Sequence, residues 1–193
     1  LERALSAYRT EDVAAYGNLA PTRAAFVVRD NFRQRRTIER SYIQAIVRAR
    51  HRIAIVSPYF YPARTFRKAL IRAAERGVKV QLILQGRIDY KLAGWAARAM
   101  YDQFLAAGVE VYEYTHSYLH AKIAIADDTW ATVGSSNIDP LSLLVAREAN
   151  IIAIDRDFHA VLAAEIEQAL RDSVPVDPTV QRGRNWLERL GQR

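Results

Sequence analysis

The sequence predicts a single α/β domain in which crossover helices feed a largely parallel sheet. Two observations carry this expectation. The first is size and composition: 193 residues, half of them apolar, are enough to fill one core and do not require two. The second is a repeated unit, a helix closed by glycine and followed at once by Val-x-Val. It occurs at Gly77-Val78-Lys79-Val80 and again at Gly108-Val109-Glu110-Val111. A glycine at a helix C-cap leading straight into a β-branched strand is the pattern of a βαβ crossover.

The elements follow in order. Residues 24–28 read as a short strand. Over 35–50, Ile38, Tyr42, Ile43, Ile46 and Ala49 share one helical stripe. Residues 53–56 form a buried strand closed by Ser57-Pro58. A second helix covers 64–76, with Phe66, Leu70 and Ile71 inward, and strand 78–84 follows. A third helix over 91–107 leads into strand 109–114. Further strands are expected at 119–126, 130–134 and 148–154, and a last helix near 157–172. Residues 1–22, small and polar and ending in Ala20-Pro21-Thr22, read as a linker or the tail of a preceding domain. The domain proper spans 23–174. Residues 175–193, with Pro175, Pro178 and Trp186, form a C-terminal tail.

Composition narrows the function classes. The chain has no cysteine, which excludes disulfides and thiolate metal sites. It begins at Leu1 rather than Met, as a piece of a longer protein would. No apolar run approaches the roughly 18–20 residues that span a bilayer. The net charge is +7, carried mostly by arginine; eight arginines fall between Arg29 and Arg52 against only Asp30 and Glu39. Such a field attracts polyanions, and both nucleic acid and an anionic membrane surface qualify. A solvated helix face explains the same charges.

The chemistry concentrates in Leu119-His120-Ala121-Lys122-Ile123-Ala124-Ile125-Ala126-Asp127, followed after six residues by Gly134-Ser135-Ser136-Asn137. On a strand, His120 and Lys122 project to one face while Leu119, Ala121, Ile123 and Ile125 fill the other. Burying a lysine and a histidine there is costly without an anionic partner, and a phosphate is a natural one. Gly134 is expected to permit a tight turn that brings Ser135 and the Asn137 amide to the same spot.

This pattern of His-x-Lys, four residues, Asp, six residues, Gly-Ser-x-Asn resembles the signature of the phospholipase D superfamily. His120, Lys122, Asp127, Gly134, Ser135 and Asn137 match it at every position. Outside the motif, Ile53-Ala-Ile-Val-Ser-Pro-Tyr-Phe, Leu84-Gln-Gly-Arg-Ile-Asp-Tyr and Trp130-Ala-Thr-Val-Gly-Ser-Ser-Asn-Ile-Asp-Pro-Leu-Ser resemble the C-terminal half of bacterial cardiolipin synthases, over roughly 24–172. The resemblance implies a phospholipase D-like sandwich: a mixed, largely parallel sheet with helices on both faces. Such enzymes carry two motifs, whereas this chain has one.

The resemblance also implies roles. His120 is the nucleophile, forming a phosphohistidine. Lys122 holds the phosphate as a point charge. Asn137 donates its amide to a phosphate oxygen; a turn residue is its ordinary alternative. Ser135 orients the site. Glu148 is expected to hydrogen-bond the second nitrogen of the imidazole, against a surface ion pair with an arginine. Asp127, five residues beyond Lys122, is expected to be structural, in a turn. Tyr59, Tyr61 and Arg87, with Phe60 and Trp95, are candidates for contact with the lipid. Ordinary packing explains the aromatic residues equally well.

No metal and no cofactor are expected, since the four histidines lack metal-ligand spacing and the histidine mechanism needs none. The function expected is phosphatidyl transfer yielding cardiolipin. Its partners would be a phospholipid substrate, an anionic membrane surface and a second phospholipase D-like half or a homodimer mate. Nucleic acid is not the expected partner. The implied location is peripheral, at the cytoplasmic face of a bacterial inner membrane. The alternatives are a single-motif nuclease or phosphodiesterase acting as a homodimer, and an inactive half-enzyme that only binds.

Overall fold

The computed structural model describes residues 23–29, 36–87, 100–139 and 146–177. The expected linker over 1–22, the first part of the third helix, Trp95 and the tail beyond 177 lie outside the described residues.

The chain alternates strands β1 (Ala24–Arg29), β2 (Arg52–Ser57), β3 (Lys79–Gln85), β4 (Glu110–Tyr114), β5 (Ile123–Ala126), β6 (Trp130–Gly134), β7 (Glu148–Ile154) and β8 (Ser173–Pro175) with helices α1 (Thr37–Arg48), α2 (Arg64–Glu75), α3 (Tyr101–Ala106) and α4 (Arg156–Arg171). The strands form one sheet in the order β1-β7-β6-β5-β2-β3-β4-β8. β8, pairing with the β4 edge through Tyr114↔Ser173, was not expected from the sequence.

Sequence periodicity decides which way each helix faces. In α2, Phe66, Ala69, Leu70 and Ala73 are buried, an i, i+3, i+4, i+7 stripe. At its end Gly77 takes φ +86°. The Gly77 amide donates to the Ala74 carbonyl at 2.8 Å and the Val78 amide to the Ala73 carbonyl at 3.1 Å, which closes the helix and aims the chain into β3. Gly108 repeats the arrangement after α3. Helices α1, α2 and α3 bury Ile38, Tyr42, Phe66, Leu70 and Phe104 against one face of the sheet, together with Ile53, Ile55 and Leu82. Helix α4 buries Leu162 and Ile166 on the other face, against Ala54, Val56, Ile123 and Ile125. The Asp155 side chain caps α4 by accepting the Phe158 amide at 2.8 Å.

Two expectations need correction. The sheet is mixed, with helices on both faces, but not largely parallel: among the described pairings only β2–β3 and β3–β4 are parallel. Among the described residues only β2-α2-β3-α3-β4 joins neighbouring parallel strands through helices. β5 and β6 are joined by a short turn after Ala126, and so short a turn can only reverse the chain. The strand expected at 119–126 begins at Ile123. Its partner β2 ends at Ser57, and Pro58 offers no amide to extend the ladder. Residues 119–122 therefore form an extended lead-in rather than a paired strand. Among the described residues no helix is long and apolar enough to cross a membrane.

Candidate active site

The C-terminal ends of β2 and β3 and the start of β5 lie together at one end of the central strands of the sheet. The lead-in to β5 is pinned there from several sides. Gln85, the last residue of β3, accepts the Leu119 amide at 3.0 Å. The Gly134 amide at the end of β6 donates to the Lys122 carbonyl at 3.2 Å. Upstream, Arg87 donates to the carbonyls of Thr115 and His116, both at 3.1 Å, and its guanidinium lies 5.8 Å from the centre of the Tyr118 ring. Leu119, Ala121 and Ile123 line a groove against Leu162 and Ala169 of α4. Alternation along the extended chain puts Lys122 on the opposite side, with His120 exposed and Lys122 only 7% exposed.

The Lys122 ammonium donates to the His120 carbonyl at 2.8 Å. Burial lowers its pKa below the ordinary lysine value, although the carboxylates of Glu148 and Asp139 act in the opposite direction. The site thus holds a desolvated cation with two acidic groups near it. Asp139 was not singled out from the sequence. The signal was its place two residues after Asn137 in the same turn.

Ser135 leaves β6 beside β7. Its amide donates to the Ala149 carbonyl at 3.0 Å, and its hydroxyl accepts the Ala149 amide at 3.1 Å. The same hydroxyl donates to the Glu148 carboxylate. Glu148 was expected on the His120 imidazole, but no hydrogen bond joins the two; the seating of Ser135 against β7 places its hydroxyl first in reach. Asn137 is half-buried, and its Oδ1 is buried without a hydrogen-bond partner among the described residues. Gly134 differs from expectation in its reason. Its backbone is not left-handed. A Cβ there would lie 2.4 Å from both the Ala149 carbonyl oxygen and Asn150 Oδ1, so the requirement is close approach rather than a turn.

Asp127 sits at the other end of β5, in the turn to β6, with φ 53°. Its carboxylate accepts the backbone amides of Arg50, His51 and Arg52, the shortest at 2.8 Å from His51. Partial burial pushes the carboxyl up, but the three amides outweigh it and hold it below the usual aspartate value. Asp127 therefore staples the α1–β2 connection and takes no place beside His120. Tyr59 and Tyr61 lie on the loop after β2. That loop is tied to the motif turn by the Phe60↔Ile138 bridge and by the Tyr61 amide donating to the Ile138 carbonyl at 2.7 Å. Tyr61 is 44% exposed beside the site, while Tyr59 is half-buried.

Solved structures place this architecture. Nuc from Salmonella typhimurium, a phospholipase D family member, matches with a TM-score of 0.68 at 17% identity over 81% of this chain and 99% of its own. Phosphatidylserine synthase from Haemophilus influenzae matches with a TM-score of 0.65 at 15% identity, over 88% of this chain and 46% of its own. The fold is thus of the phospholipase D class. Sequence takes the assignment further: the family described as cardiolipin synthase, PLD-like domain, matches residues 42–170, and the chain belongs to that family. Cardiolipin synthase B of Escherichia coli K12 is 43% identical over 161 residues, which is 83% of this chain and 39% of that protein. Cardiolipin synthase A of Escherichia coli O157:H7 is 36% identical over 152 residues, 79% of this chain and 30% of that protein. The chain spans about two fifths of the length of the cardiolipin synthase B relatives it matches.

Proposed function

We propose that this chain is one catalytic half of a phosphatidyltransferase that makes cardiolipin from phosphatidylglycerol, acting at an anionic membrane surface. The observation that carries the reading is a desolvated Lys122 beside an accessible His120, at one end of the central strands of a domain whose family and 43%-identical relatives are cardiolipin synthases.

In the proposed reaction, an imidazole nitrogen of His120, or of its counterpart in a second half, attacks the phosphorus of the donor. The bond to the headgroup oxygen breaks. The opposite histidine protonates the leaving glycerol, or ethanolamine if phosphatidylethanolamine is the donor. That histidine then deprotonates a hydroxyl of the acceptor phosphatidylglycerol, which attacks the phosphohistidine and releases cardiolipin. Lys122 supplies fixed positive charge where negative charge grows, and its burial leaves that charge less screened by water. Asn137 supplies an amide donor to a phosphate oxygen. Ser135 and Glu148 hold one another against β7, and Glu148 and Asp139 favour the charged form of Lys122. Tyr61 and Tyr59 flank the entry, where an apolar wall favours a lipid hydroxyl over water. Arg87 acts by fixing the loop that leads to His120.

The test presents phosphatidylglycerol vesicles and plasmid DNA to one preparation of the complete protein. Cardiolipin and free glycerol are expected, with intact plasmid. Nicked plasmid that disappears in His120→Ala, with no cardiolipin formed, would replace the reading with a nuclease. Phosphatidic acid alone would indicate hydrolysis on the same fold.

A further inference from the structure

Away from the site, α1 and α2 lie side by side and leave a groove between them. Both run from the site end of the sheet toward the end that holds Asp127, because each leads into or out of β2. The floor of the groove is apolar: Ile43 and Val47 from α1 and Ala69 from α2. Val47 is 58% exposed. The rim is cationic: Arg64, Lys68 and Arg72 stand four residues apart along α2, over about 12 Å at helical rise. Among the described residues no carboxylate lines the groove, and none of these three cations is in an ion pair.

Helix stability does not explain this row. Like charges four residues apart destabilise a helix. Arg64 also opens α2, where the macrodipole disfavours a cation, and the first turn has no acidic residue to offset it. The groove does not serve the site either, since His120 and Lys122 belong to the β5 lead-in. Its shape and charge fit an amphiphile, with phosphates against the rim and glycerol or upper acyl carbons over Val47 and Ile43. A nucleic-acid backbone would find polar partners along the rim but none on the floor.

We infer that the α1–α2 groove is a docking surface for a bilayer rich in anionic phospholipid. It presses the α1–α2 face of the domain onto the membrane with Tyr61, whose loop runs directly into Arg64, at the interface. The inference rests on the lipid reading of the site, and the experiment separates the two. Flotation of the complete protein is measured with vesicles of phosphatidylcholine alone and of equal parts phosphatidylcholine and phosphatidylglycerol, at 0.1 M salt. Turnover is measured in parallel on short-chain phosphatidylglycerol below its micelle concentration.

The wild type should float with the mixed vesicles only. Lys68→Ala and Arg72→Ala should each weaken partitioning about five-fold, and R64A/K68A/R72A on the order of 100-fold. Turnover of the monomeric lipid should stay within two-fold of wild type in all of them. Vesicle binding by the triple variant within two-fold of wild type would overturn the docking surface, as would variants that lose plasmid binding while keeping vesicle binding. If the triple variant does not fold, the two single substitutions decide. A wild type that turns over no phosphatidylglycerol in either form would sink the lipid reading, whatever the flotation shows.

Discussion

At Lys122 the role proposed for a single side chain runs against stability. The residue is nearly buried, and burial lowers the affinity of its amine for a proton. A methionine would fill similar space without the charge. Lys122→Met should therefore raise the melting midpoint, while turnover falls by several orders of magnitude. His120→Ala should lose turnover to the same extent with no change in melting, because its side chain is exposed. Near-normal activity in His120→Ala would defeat the proposed chemistry. Gly134 makes the opposite kind of demand. Gly134→Ala should cost about 1–3 kcal/mol by urea unfolding, since the added carbon meets the Ala149 carbonyl. An unchanged midpoint would mean that β7 gives way there.

At the scale of elements, Asp127 shows how a motif residue can serve packing. One carboxylate collects three amides from the loop between α1 and β2, and so fixes the entry angle of the strand on which the site is built. Its folded-state pKa is depressed, so its contribution to stability is full above the unfolded value near 3.9 and is lost as pH falls through the lower folded value. The stability difference between wild type and Asp127→Asn should be constant from pH 5 to 7 and shrink below pH 4. A difference that grows on acidification would contradict this account. The sequence made the helices legible, because the 3.6-residue stripe of Phe66, Leu70 and Ala73 and the glycine caps are local signals. The start of β5 was not legible: it depends on where a partner strand stops, 65 residues away at Pro58, and alternation continues through Leu119 regardless. Nor was the partner of Glu148, since only the register of β7 beside Ser135 decides which group reaches the carboxylate first.

At the scale of the chain, one His-x-Lys pair comes to one end of the sheet, whereas the proposed two-step transfer at phosphorus needs a nucleophile and a separate acid. The isolated chain should be nearly inactive at concentrations where light scattering shows a monomer. Activity that rises with the square of concentration would point to two copies meeting across a two-fold axis. Full activity from a monomer would refute the need for a second histidine. The sheet order has its own consequence for engineering. β1 and β8 occupy opposite edges, seven strand spacings or roughly 33 Å apart. A circular permutant that joins Pro175 to Ala24 therefore cannot use the short loop that suits domains with adjacent ends. It needs at least about ten residues of fully extended chain, and more to pass around α4 or over α1 and α2. A permutant with a five-residue joint should fail to fold or should exchange its edge strand with a neighbour, whereas one with twenty residues should melt close to the parent.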